Sequence, residues 1–169
     1  MTKNPGGKAT VTPYVAVRGA AAWLEFVQEA FGTKPAFAVH NEDGTIGHAE
    51  ITIGDSVVMA FDARPDWPDT PSFLSVYVDD ADATVTRAVA AGATIITELT
   101  TSRIVGDRGA RLKDPAGNIW WIQTHLYDVD PADLPTLFAD PEEAATMHRL
   151  QESFATEMRS RLTRPSRRD

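Results

Sequence analysis

The sequence is most restrictive in what it lacks. None of its 169 residues is cysteine, which excludes disulfide bonds, thiolate metal ligands and a cysteine nucleophile. No apolar run approaches the roughly 18 residues that a membrane-spanning helix needs, so we expect no membrane partner. Positive charge is also scarce: 16 lysines and arginines face 24 acidic residues, for a formal charge of −8, which argues against nucleic acid as the main partner. The first ten residues lack the apolar core of a signal peptide, so we predict a cytoplasmic protein.

What the sequence contains is a repeated order of strand, helix and three strands. Alternation, helical spacing and turn residues predict strands at 11–17, 34–40, 46–53 and 56–61 around a helix at 20–31, and then strands at 73–78, 94–98, 111–113 and 119–125 around a helix at 80–91. Gly32 and Gly92 fall after the two helices, at an offset of 60. We therefore predict an α+β fold of two βαβββ modules forming a curled mixed sheet around a cavity, plus a C-terminal helix. The alternative is two unrelated α+β halves.

This repeat predicts the domain organisation. We expect a flexible N-terminus at 1–10, modules at 11–63 and 73–126, a proline-rich linker at 64–72, and a helical extension with a basic tail at 127–169.

One face of the predicted sheets is apolar and faces a helix, while the other is mixed. Because side chains alternate along a strand, aromatic, hydroxyl, amide and carboxylate groups share the second face. Its members are Thr12, Tyr14, His48, Glu50, Phe73, Ser75, Tyr77, Trp121 and Gln123. An aromatic concavity with a few polar groups is typical of a small-molecule pocket. The alternative is a sheet face open to solvent, which the aromatic residues on three strands disfavour.

The motifs resemble a known family. Thr12-Pro13-Tyr14, Ile46-Gly47-His48-Ala49-Glu50 before Gly54-Asp55-Ser56, Gly106-Asp107-Arg108 and Asp114-Pro115…Gly117…Trp121…Thr124-His125 are similar to the vicinal oxygen chelate superfamily. That superfamily includes glyoxalases, bleomycin-resistance proteins and extradiol dioxygenases, and the PhnB-like branch is the nearer match. The resemblance covers about residues 10–126 and implies two modules whose sheets enclose a shared cavity, often in a homodimer.

The resemblance also bears on metal binding. Metal-dependent members place one ligand on each of four strands, and these positions fall on Thr12, Glu50, Phe73 and Trp121. Only Glu50 suits a divalent metal, so we expect no metal at the usual place and no cofactor. A displaced site of His48, Glu50 and His125 is an alternative. The simpler interpretation makes His48 a hydrogen-bonding residue of the pocket wall or the hairpin surface.

Glu50 carries the functional hypotheses. Among aromatic side chains its carboxyl would be partly desolvated, which raises a pKa and suits a general base, with His48 or Tyr14 donating to the substrate oxygen. That predicts a lyase or isomerase of glyoxalase type, within the wider dioxygenase superfamily. The alternatives are a non-catalytic sequestering protein of drug-resistance type, in which Glu50 only anchors a cationic or hydroxylated ligand, and an interaction module whose cavity is filled by aromatic side chains.

The remaining polar-face residues are predicted to bind substrate: Thr12, Phe73, Ser75, Tyr77, Trp121 and Gln123, together with Arg108. Arg108 and Arg111 flank the last hairpin, and arginine forks suit carboxylate or phosphate. The commoner explanation for either arginine is an ion pair with Asp107 or Asp114.

The C-terminal extension predicts an amphipathic helix. Asp140 is the expected N-cap, Pro141 the first helical residue and Glu143 its reciprocal partner in a capping box. An apolar stripe follows at Met147, Leu150, Phe154, Met158 and Leu162. This stripe must be buried on the chain's own body or on a partner subunit, and we favour a helix that crosses a dimer interface.

Overall fold

Two sheets of four strands organise the molecule. The computed structural model describes residues 8–34 and 37–162, so the rest of the predicted N-terminus (1–7) and the basic tail (163–169) lie outside the described residues. The first βαβββ unit comprises β1 (Tyr14–Val17), α1 (Ala20–Phe31), β2 (Phe37–His40), β3 (Ile46–Ile53) and β4 (Ser56–Asp62). The second comprises β5 (Phe73–Tyr77), α2 (Ala81–Ala90), β6 (Thr94–Ser102), β7 (Asp107–Lys113) and β8 (Ile119–His125). Two helices follow, α3 (Leu134–Ala139) and α4 (Pro141–Leu162).

The repeat seen in the sequence is confirmed strand by strand. The sheets have the orders β1-β4-β3-β2 and β5-β8-β7-β6, so the same order occurs twice. In each unit the first strand pairs in parallel with the last, and the other pairs are antiparallel. The α+β prediction of two βαβββ modules and a C-terminal helix is therefore confirmed, with the eight strands divided between two open sheets.

The two units share one hydrophobic core through their helices. Helix α1 packs against α2, and Trp23 of α1 stacks on Trp120 of β8 with ring centroids 6.2 Å apart. Phe26 and Phe31 flank the same indole at 6.4 and 5.0 Å. Val15, Ile51, Leu112 and Ile122 are among the residues that the strands bury on this side. The opposite faces of both sheets therefore lie away from the shared core.

Asp114 joins the units at the predicted Asp-Pro turn. Its carboxylate is 3% exposed and accepts hydrogen bonds from the indole nitrogens of Trp23 (3.0 Å) and Trp120 (2.9 Å). It also accepts from the backbone nitrogen and side-chain amide of Asn118, at 2.8 and 2.9 Å. The turn residue therefore links α1 of the first unit to β8 of the second.

Element boundaries differ from the prediction where pairing decides them. Strand β1 begins at Tyr14, three residues later than expected; strand β2 is described from Phe37, and residues 35–36 of its predicted range lie outside the described residues. Strand β6 continues to Ser102, past its predicted end at residue 98, because Thr100–Ser102 pairs with Asp107–Gly109 of β7. The alternation of apolar and polar residues cannot predict this extension, because Thr100, Thr101 and Ser102 all have polar hydroxyl side chains.

The C-terminal extension packs on its own chain. Asp140 caps α4 by accepting from the backbone nitrogen of Glu142 at 2.9 Å. Glu143 does not complete the predicted capping box: its buried carboxylate accepts from Ser102 Oγ and from the backbone nitrogen of Arg103, both at 2.9 Å. Helix α4 then runs over β6 of its own chain, while Met158 and Leu162 of its apolar stripe stay 44% and 86% exposed, so the expected crossing of a dimer interface stays a prediction. Within the described residues, no helix is both long and apolar enough to cross a membrane.

Candidate functional site

A row of polar side chains crosses the first sheet on the face opposite α1. Register places Tyr14 of β1 and Glu50 of β3 on either side of Met59, and His48 lies two residues before Glu50 on the same face. Tyr14 Oη is 3.0 Å from His48 Nδ1, and His48 Nε2 is 3.0 Å from Glu50 Oε1. Lys8 Nζ reaches the same carboxylate oxygen at 2.7 Å. The three residues predicted as catalytic are therefore brought together, with Lys8 as a fourth member.

The charge state of Glu50 differs from the sequence expectation. The hydrogen bond from Lys8, followed by that from His48, lowers the pKa of Glu50 below its ordinary value, and desolvation opposes this only in part. The expected rise assumed that Glu50 lies among Tyr14, Phe73 and Trp121, yet the last two belong to the other sheet. An ionised carboxylate only accepts hydrogen bonds, so His48 Nε2 donates to it and Nδ1 of a neutral ring accepts from Tyr14.

The second sheet presents a separate polar group at the β5–β8 end. Gln123 is 4% exposed and donates from Nε2 to Ser75 Oγ at 2.8 Å. Tyr77 donates to Asp107 Oδ2 at 2.9 Å, and this bond raises the pKa of Tyr77. His125 Nδ1 lies 2.7 Å from the other oxygen of Asp107, which raises the pKa of His125, and Asp128 adds to the effect. Gln123 and Ser75 thus pair with each other, and Tyr77 pairs with Asp107, which was not among the predicted site residues.

Helix α4 covers the other end of this face. Phe154 stacks on Phe73 with centroids 5.4 Å apart, and Phe73 remains 52% exposed. The guanidinium of Arg111 lies between Trp121 and Phe154, 4.4 and 5.2 Å from their ring centroids. Phe73 and Trp121 are therefore close to a helix of their own chain. The sequence showed the aromatic stripe of this helix but not which surface it would meet.

Two residues predicted to bind substrate lie apart from these groups. Arg108 is on the helix side of β7, where Nε and Nη2 donate to the two carboxylate oxygens of Asp82, each at 2.7 Å. Strand alternation sends it to the face opposite Arg111, away from the polar-face residues with which it was predicted to bind substrate, and its carboxylate partner is neither Asp107 nor Asp114. Thr12 precedes β1, and its hydroxyl donates to the backbone oxygen of Ala9 at 2.9 Å, in a local turn.

The side chains do not suit a metal site of the kind implied by the family resemblance. Of the four corresponding positions, Thr12, Phe73 and Trp121 supply no strong donor, and Glu50 is occupied by Lys8 and His48. In the described part of the chain no three histidine, aspartate or glutamate side chains are grouped to hold a metal ion. His125, the third member of the displaced alternative, is hydrogen-bonded to Asp107 and Asp128.

A cavity of about 380 Å³ is lined by residues that follow the ends of β6 and β8. It is lined by Arg103 and by the segment that leads from β8 into α3, including Tyr127, Asp130, Asp133 and Leu137. Arg103 is held there by Asp140 at 2.8 Å. The extension after residue 126 therefore shapes a surface feature of its own.

Comparison with known proteins identifies the family. Residues 9–122 match the model of the Glyoxalase/Bleomycin resistance protein/Dioxygenase superfamily. The chain belongs to this superfamily. Rv0887c of Mycobacterium tuberculosis, an uncharacterized protein, is 31% identical over 131 residues, which cover 71% of this chain and 76% of that relative.

Solved structures agree on the glyoxalase fold. TioX from Micromonospora sp. ML1 is 24% identical, with a TM-score of 0.58 over 70% of this chain and 99% of its own. The fosfomycin resistance protein FosX from Mesorhizobium loti is 14% identical, with a TM-score of 0.52 over 69% of this chain and 91% of its own. At these identities the likeness shows the fold alone. The family match ends at residue 122, so α3 and α4 lie beyond it.

Proposed function

We propose that this glyoxalase-family protein binds a small organic molecule on the polar face of its first sheet, where Glu50 anchors a cationic or hydroxyl-bearing group. The observation that carries the proposal is the hydrogen-bonded row of Tyr14, His48, Glu50 and Lys8. About a quarter to a third of each of the His48 and Glu50 side chains is exposed, at 31% and 27%, so a ligand can reach both. Organised polar groups beside aromatic rings fix the orientation of a small ligand.

The charge on Glu50 favours binding over general-base catalysis. A carboxyl whose pKa is lowered is a weak proton acceptor near neutral pH. Lys8 already forms an ion pair of this kind, with its ammonium 2.7 Å from Glu50 Oε1. A ligand ammonium that replaces Lys8 keeps the charge balanced, because it exchanges one ion pair for another. This supports the sequestering function as the first candidate.

Proton transfer is the second candidate, and one observation favours it. Tyr14, His48 and Glu50 form a single line in which the carboxylate orients the imidazole and the imidazole contacts the phenol. In such a line the phenol oxygen takes a proton from the substrate while its own proton passes to His48 Nδ1, and the Glu50 carboxylate balances the imidazolium that forms. This would serve the lyase or isomerase chemistry expected from the sequence, with Tyr14 as the group that contacts the substrate and Glu50 as a positioning residue.

A ligand screen with matched variants separates the two candidates. Cationic and hydroxylated small molecules are tested by thermal shift, and each hit is measured by calorimetry on Glu50→Gln and on Glu42→Gln, an exposed glutamate of the same unit. Binding lost in Glu50→Gln alone supports the anchor. Retained binding of a hit that is turned over, with turnover lost in Tyr14→Phe, supports proton transfer. Equal binding by both glutamine variants, for hits whose turnover does not depend on Tyr14, contradicts the proposed site.

We also propose that the protein is a homodimer. Large apolar side chains are exposed on the polar faces of both sheets, with Phe37 66% and Tyr77 61% exposed. Surfaces of this kind lower their free energy when a second copy covers them. Sedimentation equilibrium tests the assembly, and a monomer at all concentrations would contradict it.

The PhnB-like branch, the domain boundaries and the cytoplasmic location remain predictions, as do ligand contacts by Ser75, Trp121 and Gln123.

A further inference from the structure

Arg111 has an unusual environment for an arginine that is half-buried. Its guanidinium lies between the rings of Trp121 and Phe154, and Nη1 donates to the backbone oxygen of Leu150 at 2.7 Å. Nε is buried without a hydrogen-bond acceptor, and Nη2 makes no hydrogen bond to the described residues. None of these residues pairs a carboxylate with Arg111, and burial lowers its pKa. A cation in this position lacks its counter-charge.

The two unpaired groups are the pair that recognises a carboxylate. Nε and Nη2 lie on the same side of a guanidinium and point in parallel, which matches the two oxygens of a carboxylate. Strand β7 also contains an arginine whose Nε and Nη2 do bind a carboxylate. Three residues earlier, Arg108 donates from Nε and Nη2 to both oxygens of Asp82, each at 2.7 Å. Arg111 has the same fork on the other face of β7, without the carboxylate.

The surroundings of the fork favour an aromatic acid. Phe73 stacks on Phe154 and is 52% exposed, so an apolar ring surface adjoins the cation. Trp121 forms the other wall of the guanidinium. A flat ligand can place its ring against Phe73 while its carboxylate approaches Arg111, and because Nε is buried, its binding requires neighbouring side chains to move. Phosphate offers the charge but no ring to bury.

We propose that Arg111, Trp121 and Phe73, together with Phe154 of α4, form a binding subsite for the carboxylate of a small aromatic acid. This subsite is distinct from the Glu50 row and takes a ligand group of opposite charge. Three of its residues lie within the family match, and Phe154 lies on α4 after it, so the complete subsite needs this chain's extension. The two sites therefore succeed or fail independently.

Benzoate is the probe, with benzamide as its uncharged counterpart and inorganic phosphate as an anion without a ring. Calorimetry at low ionic strength is expected to detect benzoate binding, and binding by benzamide and phosphate at least about tenfold weaker. In the unsubstituted protein, the Nε–H resonance of Arg111 is expected to shift with benzoate. If benzoate does not bind, or benzamide binds equally, the proposal is overturned.

Two variants locate the effect. Arg111→Met is expected to weaken benzoate binding by about tenfold or more, because the charge-assisted fork is removed. Arg111→Lys, which keeps the charge and is the safer variant for folding, is expected to weaken it by a smaller factor, because lysine has no fork. Arg159→Met removes the same charge from the exposed side of α4, where Arg159 pairs with Glu152, and should leave binding unchanged. If both Arg111 variants bind benzoate as well as the unsubstituted protein does, the proposal is overturned. If their oligomeric state changes while benzoate binding does not, Arg111 contacts another subunit instead of a ligand.

Discussion

The substitution Asp114→Ala tests the connection between the two units. The Asp114 carboxylate is 3% exposed and accepts four hydrogen bonds, from the indoles of Trp23 and Trp120 and from two nitrogens of Asn118. Alanine leaves all four donors without this acceptor. Each buried unpaired donor costs about 1–3 kcal/mol, and water that enters the space favours the low end. Four donors at about 1 kcal/mol each predict a loss of about 4 kcal/mol.

This loss is large enough to measure precisely. It is a substantial share of the roughly 5–15 kcal/mol that stabilises an ordinary domain. For a chain of this size, about 2–4 °C per kcal/mol predicts a fall in Tm of about 8–16 °C. Urea unfolding followed by circular dichroism gives the free energy of unfolding, and calorimetry gives Tm.

Two further variants make the Asp114 result specific. Trp23→Phe keeps a ring against Trp120 but removes one donor, so its loss should be well below that of Asp114→Ala. Asp82→Ala removes an exposed carboxylate that pairs with Arg108 and should change stability little. A loss below about 1 kcal/mol for Asp114→Ala would refute the reasoning, because it would mean that the four donors find other acceptors at no cost.

Two other predictions follow from local contacts. Because Asp107 raises the pKa of His125, an NMR titration should find the His125 pKa above the ordinary 6.5, and Asp107→Asn should lower it. The His125–Asp107 pair therefore stabilises the fold fully below about pH 6.5 and less as pH rises through the folded-state pKa. An unshifted His125 pKa would contradict this. Gly106→Ala should lower Tm more than Gly117→Ala: both glycines have positive φ (72° and 92°), but a Cβ at Gly106 would clash with the backbone oxygen of Tyr127, while one at Gly117 meets open space. Equal losses would contradict the clash.

The sequence predicts the fold well because its determinants are local. The period-2 alternation, the Asp-Gly and Asp-Pro-Ala-Gly turns and the glycines after the helices each lie within a few residues of what they specify. The role of Asp114 could not be read in this way, because one of its donors, Trp23, lies 91 positions earlier. A turn signal predicts the reversal of the chain and says nothing of a distant indole that uses the same carboxylate.

The candidate site was predictable in its members and less so in its electrostatics. Strand alternation correctly grouped Tyr14, His48 and Glu50, but Lys8, which controls the charge of Glu50, comes from a segment before the first strand with no pattern. The sequence also contains enough to tell which of Arg108 and Arg111 shares the polar face of the second sheet. On β7, Arg108 alternates with Asp107 and Arg111, so alternation alone places it on the helix side.

The extension gives the two sheet faces different properties. Both faces carry a charged group beside aromatic rings, but Glu50 has its counter-ion in Lys8, whereas Arg111 has none among the described residues. Helix α4 is the cause, because Phe154 and the Leu150 carbonyl hold the guanidinium in place without neutralising it. If α4 served only to bury the second sheet, an apolar residue would be expected at position 111 of β7, or a carboxylate on α4 facing Arg111. An unpaired fork retained under an aromatic cover is better explained by a charge that arrives with a ligand.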